Sequence, residues 1–178
     1  MSYIFGFAGS NSSSSINYKL VRYTASLVKD NDVRLLDMAN CPFPMYSEDY
    51  EQENGYSNSL IEIKNTIQQA KGIILAVNEH NSNPSAYFKN LIDWLSRVDK
   101  NFIQGKKLFL LSTSPGKRGA KGAFEVTAKL LTRFGAVQVA SFSLPSFHDN
   151  FTMEKGILDE ALSKSHKEAL EQFIASID

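Results

Sequence analysis

Gly9-Ser10-Asn11-Ser12-Ser13-Ser14-Ser15-Ile16-Asn17 holds five serines and two asparagines in nine residues. It follows a short apolar run, Tyr3–Ala8, and leads into an amphipathic segment. A hydroxyl-rich loop between a strand and a helix N-terminus gathers free backbone N–H groups at the positive end of the helix dipole. Such a loop suits an anion, and a phosphate monoester fits it best. Its candidate ligands are Ser10, Ser12, Ser15, Ile16 and Asn17. A capped, solvated turn is the alternative, although capping needs one hydroxyl rather than a run of them. A second polar group is Asn78-Glu79-His80-Asn81, with amide, carboxylate and imidazole side chains. A third is Ser112-Thr113-Ser114-Pro115-Gly116-Lys117-Arg118-Gly119, whose glycines let backbone approach a ligand closely.

The elements that must position these groups alternate regularly. Strands are predicted at Tyr3–Ala8, Val33–Asp37, Ile73–Val77, Lys107–Ser112 and Ala136–Phe142. Helices are predicted at about Ser15–Lys29, Leu60–Gln69, Ser85–Arg97, Gly122–Phe134 and Leu158–Ser176. Ile73-Ile74-Leu75-Ala76-Val77 is continuously apolar, as a central parallel strand covered on both faces should be. Strand–helix alternation of this kind predicts an α/β three-layer sandwich. Five strands suggest a flavodoxin-like parallel sheet of order 2-1-3-4-5. Ligands of such sheets bind beyond the carboxyl ends of the strands, at the switch point. The three polar groups follow strands one, three and four, so they should meet at one edge. The polar stretch Ser47–Asn58 is expected as a long loop, and 1–178 as a single domain.

Composition narrows the partners. Nineteen basic and nineteen acidic residues give a formal net charge of zero. Nothing there favours nucleic acid or an anionic membrane. One cysteine allows no internal disulfide and is compatible with a reducing compartment. The N-terminus carries no basic region followed by a cleavage signal, so a cytoplasmic location is expected. His148 and His166 have no neighbours at metal-ligand spacing, and no metal site is expected.

One loop for a phosphate and two for something flat and polar are together met by flavin mononucleotide, FMN. Here the sequence resembles the NAD(P)H-dependent FMN reductase family, which includes quinone, azo-dye and chromate reductases. That family opens with Gly-Ser-x-Arg-x-x-Ser-x-Asn after its first strand, and Gly9 to Asn17 follows the spacing. Its second loop, Pro-Glu-Tyr-Asn followed by a proline and Leu-Lys-Asn-x-Ile-Asp-Trp, is similar to Asn78-Glu79-His80-Asn81, Pro84 and Phe88-Lys89-Asn90-Leu91-Ile92-Asp93-Trp94. Its third, Ser-x-Ser-Pro-Gly-x-x-Gly, is similar to Ser112–Gly119, and its Pro-x-Pro to Pro42-Phe43-Pro44. Three positions depart: Ser12 stands for the family arginine, Asn78 for proline and His80 for tyrosine.

The resemblance implies FMN bound by Ser10, Ser12, Ser15, Ile16, Asn17, Asn78, Glu79, His80, Asn81, Ser112, Ser114, Pro115, Gly116 and Gly119. It implies NADPH or NADH as co-substrate and hydride transfer to a quinone, flavin, azo dye or metal oxyanion by a ping-pong scheme. No catalytic acid or base is required, because the chemistry belongs to the cofactor. Lys117 and Arg118 could meet the dinucleotide phosphates. A homodimer or homotetramer is implied, with Pro42–Asn58 and the third helix as interface candidates. Two other classes remain open. One is a flavodoxin-type electron carrier, against which the zero net charge argues. The other is a sensor or interaction protein with weak or no FMN binding, to which Ser12 lends weight.

Overall fold

The computed structural model describes residues 2–177. Five parallel strands form its sheet: β1 (Ile4–Ala8), β2 (Val33–Leu36), β3 (Gly72–Val77), β6 (Lys107–Thr113) and β7 (Val137–Leu144). Their order is β2-β1-β3-β6-β7, the flavodoxin-like arrangement. Short strands β4 (Glu79–His80) and β5 (Asn83–Pro84) form a hairpin after β3.

Side-chain alternation divides the core into two layers. Phe5, Phe7, Ile73, Leu75, Val77, Leu108 and Leu110 face one side of the sheet. There they meet α3 (Asn58–Gln69), α4 (Ala86–Val98) and α5 (Lys121–Arg133) through Leu60, Ile63, Ile67, Phe88, Leu91, Leu95 and Leu131. Ile4, Ala8, Ile74, Ala76, Phe109 and Leu111 face the other. They meet α1 (Ile16–Ser26) and α7 (Glu160–Ile177) through Leu20, Val21, Leu170 and Phe173. Every residue of β3 is buried, as its unbroken apolar run requires.

The structure departs from the sequence expectation between Ser47 and Asn58. This stretch is a helix, α2 (Glu48–Asn54), rather than a loop. Ser47 caps it by accepting a hydrogen bond from Tyr50 N, acidic residues fill its first turn, and Gly55 ends it at φ +67°. None of its residues is buried, so no apolar periodicity announces it. It is held to α4 by polar and aromatic contacts. Glu51 accepts hydrogen bonds from Tyr46 Oη, Tyr56 Oη and Arg97 Nε at 3.0, 2.6 and 2.9 Å. Tyr46, Tyr50 and Tyr56 pack edge-on to Trp94. The hydrogen bond from Tyr56 leads the effects that hold the Glu51 carboxyl below its ordinary range. Between β7 and α7 the chain forms a short helix α6 (Phe147–Asn150) and a hairpin of β8 (Phe151–Thr152) with β9 (Gly156–Ile157).

His166 on α7 is fully buried in this core. Its Nε2 lies 2.8 Å from Thr24 Oγ1, which itself donates to Leu20 O at 2.9 Å. The imidazole is therefore the donor in that pair, and its Nδ1 is buried without a partner. Rings of Phe142, Tyr23 and Phe109 surround it. Burial first, and the Lys167 charge second, push its pKa down from 6.5 to about 4. The unfolded chain then takes up this proton before the folded chain does. Stability should be lost as pH falls from about 6.5 to about 4, by about 3 kcal/mol in total. Urea unfolding across that range should show the slope in the wild type, and His166→Leu should remove this contribution.

Candidate functional site

The site lies beyond the carboxyl ends of β1, β3 and β6, which are neighbours in the sheet. Gly9 N continues the β1 ladder by donating to Ala76 O at 2.8 Å. A Cβ at Gly9 would strike the Phe88 ring, so only glycine lets β1 run this close to α4. Ser85 closes the gap. Its hydroxyl donates to Gly9 O at 2.9 Å and accepts from Phe88 N at 3.1 Å, capping α4 in the same act.

The serine loop coils on itself before α1. Ser12 N donates to Ser10 Oγ at 3.3 Å, Ser14 N donates to Ser12 Oγ at 3.3 Å, and the Ser12 and Ser14 hydroxyls lie 3.1 Å apart. Ser15 Oγ accepts from Tyr18 N at 3.2 Å, so this residue is the helix cap. Asn17 turns inward. Its amide accepts from Thr113 N at 3.0 Å and donates to Thr113 O at 3.1 Å. That pair of bonds straps the first loop to the third.

After β3 the chain makes a hairpin whose tip, Asn81 and Ser82, has φ of +52° and +64°. Asn81 is exposed at this tip, away from the cleft lining. The Glu79 side chain also leaves the cleft, reaching α5 instead. Glu79 Oε2 accepts from Ala123 N at 3.0 Å, where Ala120, at φ +66°, provides no side-chain cap. Arg118 Nη2 stands 3.9 Å from Glu79 Oε1. In the third loop Ser112 is buried, and its hydroxyl donates to Gly119 O at 2.7 Å. Gly119 has φ +59°, and a Cβ there would meet Ser143 Oγ. Ser114 is half-buried, and Pro115 and Gly116 are exposed on the same loop.

What remains open is a cleft of about 230 Å³ lined by Ser10, Ser12, Ser14, Ser15, Ile16, Asn17, Asn78 and His80. Ser14 joins the expected residues here. The unbroken serine run was its signal, though a run cannot say which hydroxyl turns outward. The lining contains no carboxylate, and His80 is its one ionisable side chain. Ser12 and Ser14 are exposed beside the first turn of α1, which contains no acidic residue. These donors suit a phosphate. Asn78 Oδ1 is buried without a partner and suits a ligand that also brings donors. The residues thus fit a phosphorylated flavin. Among the described residues, no group of three His, Cys, Asp or Glu side chains could hold a metal ion.

A five-stranded sheet of this order, with a serine loop at its β1/β3 switch point, defines a flavodoxin-like α/β protein. Residues 2–149 match the family model described as NADPH-dependent FMN reductase, and the chain belongs to that family. It is 33% identical to a quinone reductase of Escherichia coli over 76 residues, 43% of this chain and 40% of that enzyme's length. It is 25% identical to an NADPH:quinone oxidoreductase of Arabidopsis thaliana over 181 residues, covering 98% of this chain and 89% of that one. The fold of a flavoenzyme NAD(P)H:(acceptor) oxidoreductase from Paracoccus denitrificans superposes with a TM-score of 0.80 at 23% identity, covering 99% of this chain and 97% of the other.

The Asn17 strap yields a direct test. Asn17→Leu leaves Thr113 N–H and C=O unpaired in a buried setting. It should cost about 2–4 kcal/mol in urea unfolding. Trypsin should also cut faster at the exposed Lys117 and Arg118 on the released loop.

Proposed function

We propose that this chain is an FMN-dependent oxidoreductase passing hydride from NADPH or NADH to a small acceptor, such as a quinone, free flavin, azo dye or metal oxyanion. The observation that carries this is a donor-rich cleft, free of carboxylates, between the loops that follow β1 and β3, with the third loop strapped to the first through Asn17 and Thr113. Family membership and the names of the relatives support it.

The backbone at the start of α1, with Ser12 and Ser14, holds the phosphate. Asn78 and His80 line the adjoining part of the cleft, and the third loop at Ser114, Pro115 and Gly116 borders the flavin ring. Asn17 straps the first loop to the third from within the cleft lining, and Glu79, Ser112 and Gly119 shape the loops through the bonds described above. When bound, FMN supplies the hydride-accepting and hydride-donating chemistry. The protein's task is to hold one ring face open, so that donor and acceptor use it in turn in a ping-pong order. No side chain at the cleft is required to give or take a proton. Lys117 and Arg118 are exposed on the third loop, where dinucleotide phosphates could be met.

The reading includes a cytoplasmic, reducing setting, with Cys41 free. It also includes self-association into a homodimer or homotetramer. The stretch from Met45 to Tyr56 supports the latter, since Met45, Tyr50 and Tyr56 expose large apolar side chains around α2. Light scattering reads that state directly.

Flavin-stripped protein should bind FMN, and anaerobic NADPH or NADH should then bleach the bound flavin. Binding without bleaching would favour an electron carrier, and absence of binding would favour a sensor. Ser12→Arg should tighten FMN by roughly ten-fold or more, since a hydrogen bond to a charged group contributes about 1.5–3 kcal/mol. Riboflavin, which lacks the phosphate, should bind this variant as it binds the wild type.

A further inference from the structure

Asn78 stands at the carboxyl end of β3 and lines the cleft, yet its Oδ1 is buried and accepts no hydrogen bond. Two other side-chain atoms share that condition among the described residues, Thr127 Oγ1 and His166 Nδ1. Both belong to fully buried helical residues and border none of the cleft. The Asn78 carbonyl is the one beside a cavity. Its setting explains the direction it can take. Successive side chains of an extended segment point to opposite sides, so Asn78 and His80 share the cleft side while Glu79 reaches α5.

A buried carbonyl without a donor raises the free energy of the ligand-free protein. It also has no bond to lose on turning, and the terminal torsion of asparagine is broad and soft. We propose that Asn78 is a cofactor-binding residue. Its amide turns into the cleft to accept a hydrogen bond from a hydroxyl of the flavin's ribityl chain.

This inference rests on the FMN reading of the cleft. The chemistry of the ligand selects the hydroxyl. A phosphate monoester dianion is an acceptor and brings no proton to a carbonyl, so the serine end of the cleft and Asn78 serve different parts of one molecule. The ribityl hydroxyls adjoin the phosphate, whereas the ring N–H lies at the opposite end of the cofactor. Asn78 lines the same cleft, of about 230 Å³, as the serines. The group within its reach is therefore the polyol.

The test compares three ligands on flavin-stripped full-length protein, by fluorescence titration at pH 8. These are FMN, riboflavin, and lumiflavin, whose ring carries a methyl group in place of the ribityl chain. Asn78→Leu should weaken FMN and riboflavin alike, by about ten-fold, the equivalent of about 1.4 kcal/mol. It should leave lumiflavin unchanged. The thermal midpoint of the ligand-free variant should not fall, because a carbonyl without a partner has been replaced by an apolar group of similar size. Asn78→Asp keeps the acceptor and adds a charge. It should bind riboflavin within about two-fold of wild type while weakening FMN, whose phosphate lies in the same cleft, and it carries the test should the leucine variant not fold. Equal FMN affinity in wild type and Asn78→Leu overturns the inference, as does an equal loss for lumiflavin, which would put the contact on the ring. If the wild type binds neither FMN nor riboflavin, the flavin reading itself is lost and the inference goes with it. A wild type that binds both, with a leucine variant that binds as well, removes the inference alone.

Discussion

A parallel sheet must be covered on both faces, and this constraint generates the rest of the structure. β3 is buried along its whole length, so its neighbours on both sides and both helical layers are obligatory. Right-handed crossovers from a central starting strand send the chain first to one side and then to the other. Where the direction reverses, the loops after β1 and β3 diverge and leave a gap. The cleft is that gap, and it exists because the core could not be built otherwise.

The gap is given shape by polar bonds between loops rather than within them. Asn17 of the first loop pairs with Thr113 at the start of the third. Glu79 of the second caps the helix that follows the third. Ser85, opening α4, holds Gly9 of the first. Each loop is thus fixed by a residue that belongs to another. Buried polar networks of this kind are costly when half-satisfied, so they specify one arrangement. The same economy separates shaping from contact. Several residues whose types suggested ligand binding are occupied as supports, and the side chains left open are mostly small hydroxyls.

Much of this was legible in the sequence. Strand order, the two-layer core and the meeting of the loops follow from apolar periodicity and the alternation of elements. The serine loop was legible because a run of hydroxyls after a strand has few other uses. Side-chain direction was not. Glu79 and Asn81 sit beside His80 in sequence, but a hairpin with a left-handed tip sends one to α5 and the other to solvent. Nothing in Asn78-Glu79-His80-Asn81 encodes that turn apart from its small polar residues. α2 was illegible for a different reason. A helix with no buried residue has no periodic face, and its anchor, Glu51 with three tyrosines and Trp94, joins residues far apart in the chain.

The cleft's lack of fixed charge bears on how it can discriminate. An arginine would attract any phosphate at a distance and hold it with little regard to what is attached. Hydroxyls and backbone N–H groups act only at contact, and their strength depends on angle as well as distance. Neutral donors therefore shift the burden of recognition from charge to shape, and from the phosphate to whatever adjoins it. A cleft so built gains affinity only when several weak contacts form together. That requires its loops to be rigid before the ligand arrives, since ordering them on binding would consume the same small gain. The bonds between loops are accordingly part of recognition. Glu79 and Ser85 stand outside the cleft lining and Asn17 within it, and without their bonds the serines would present donors in no fixed geometry.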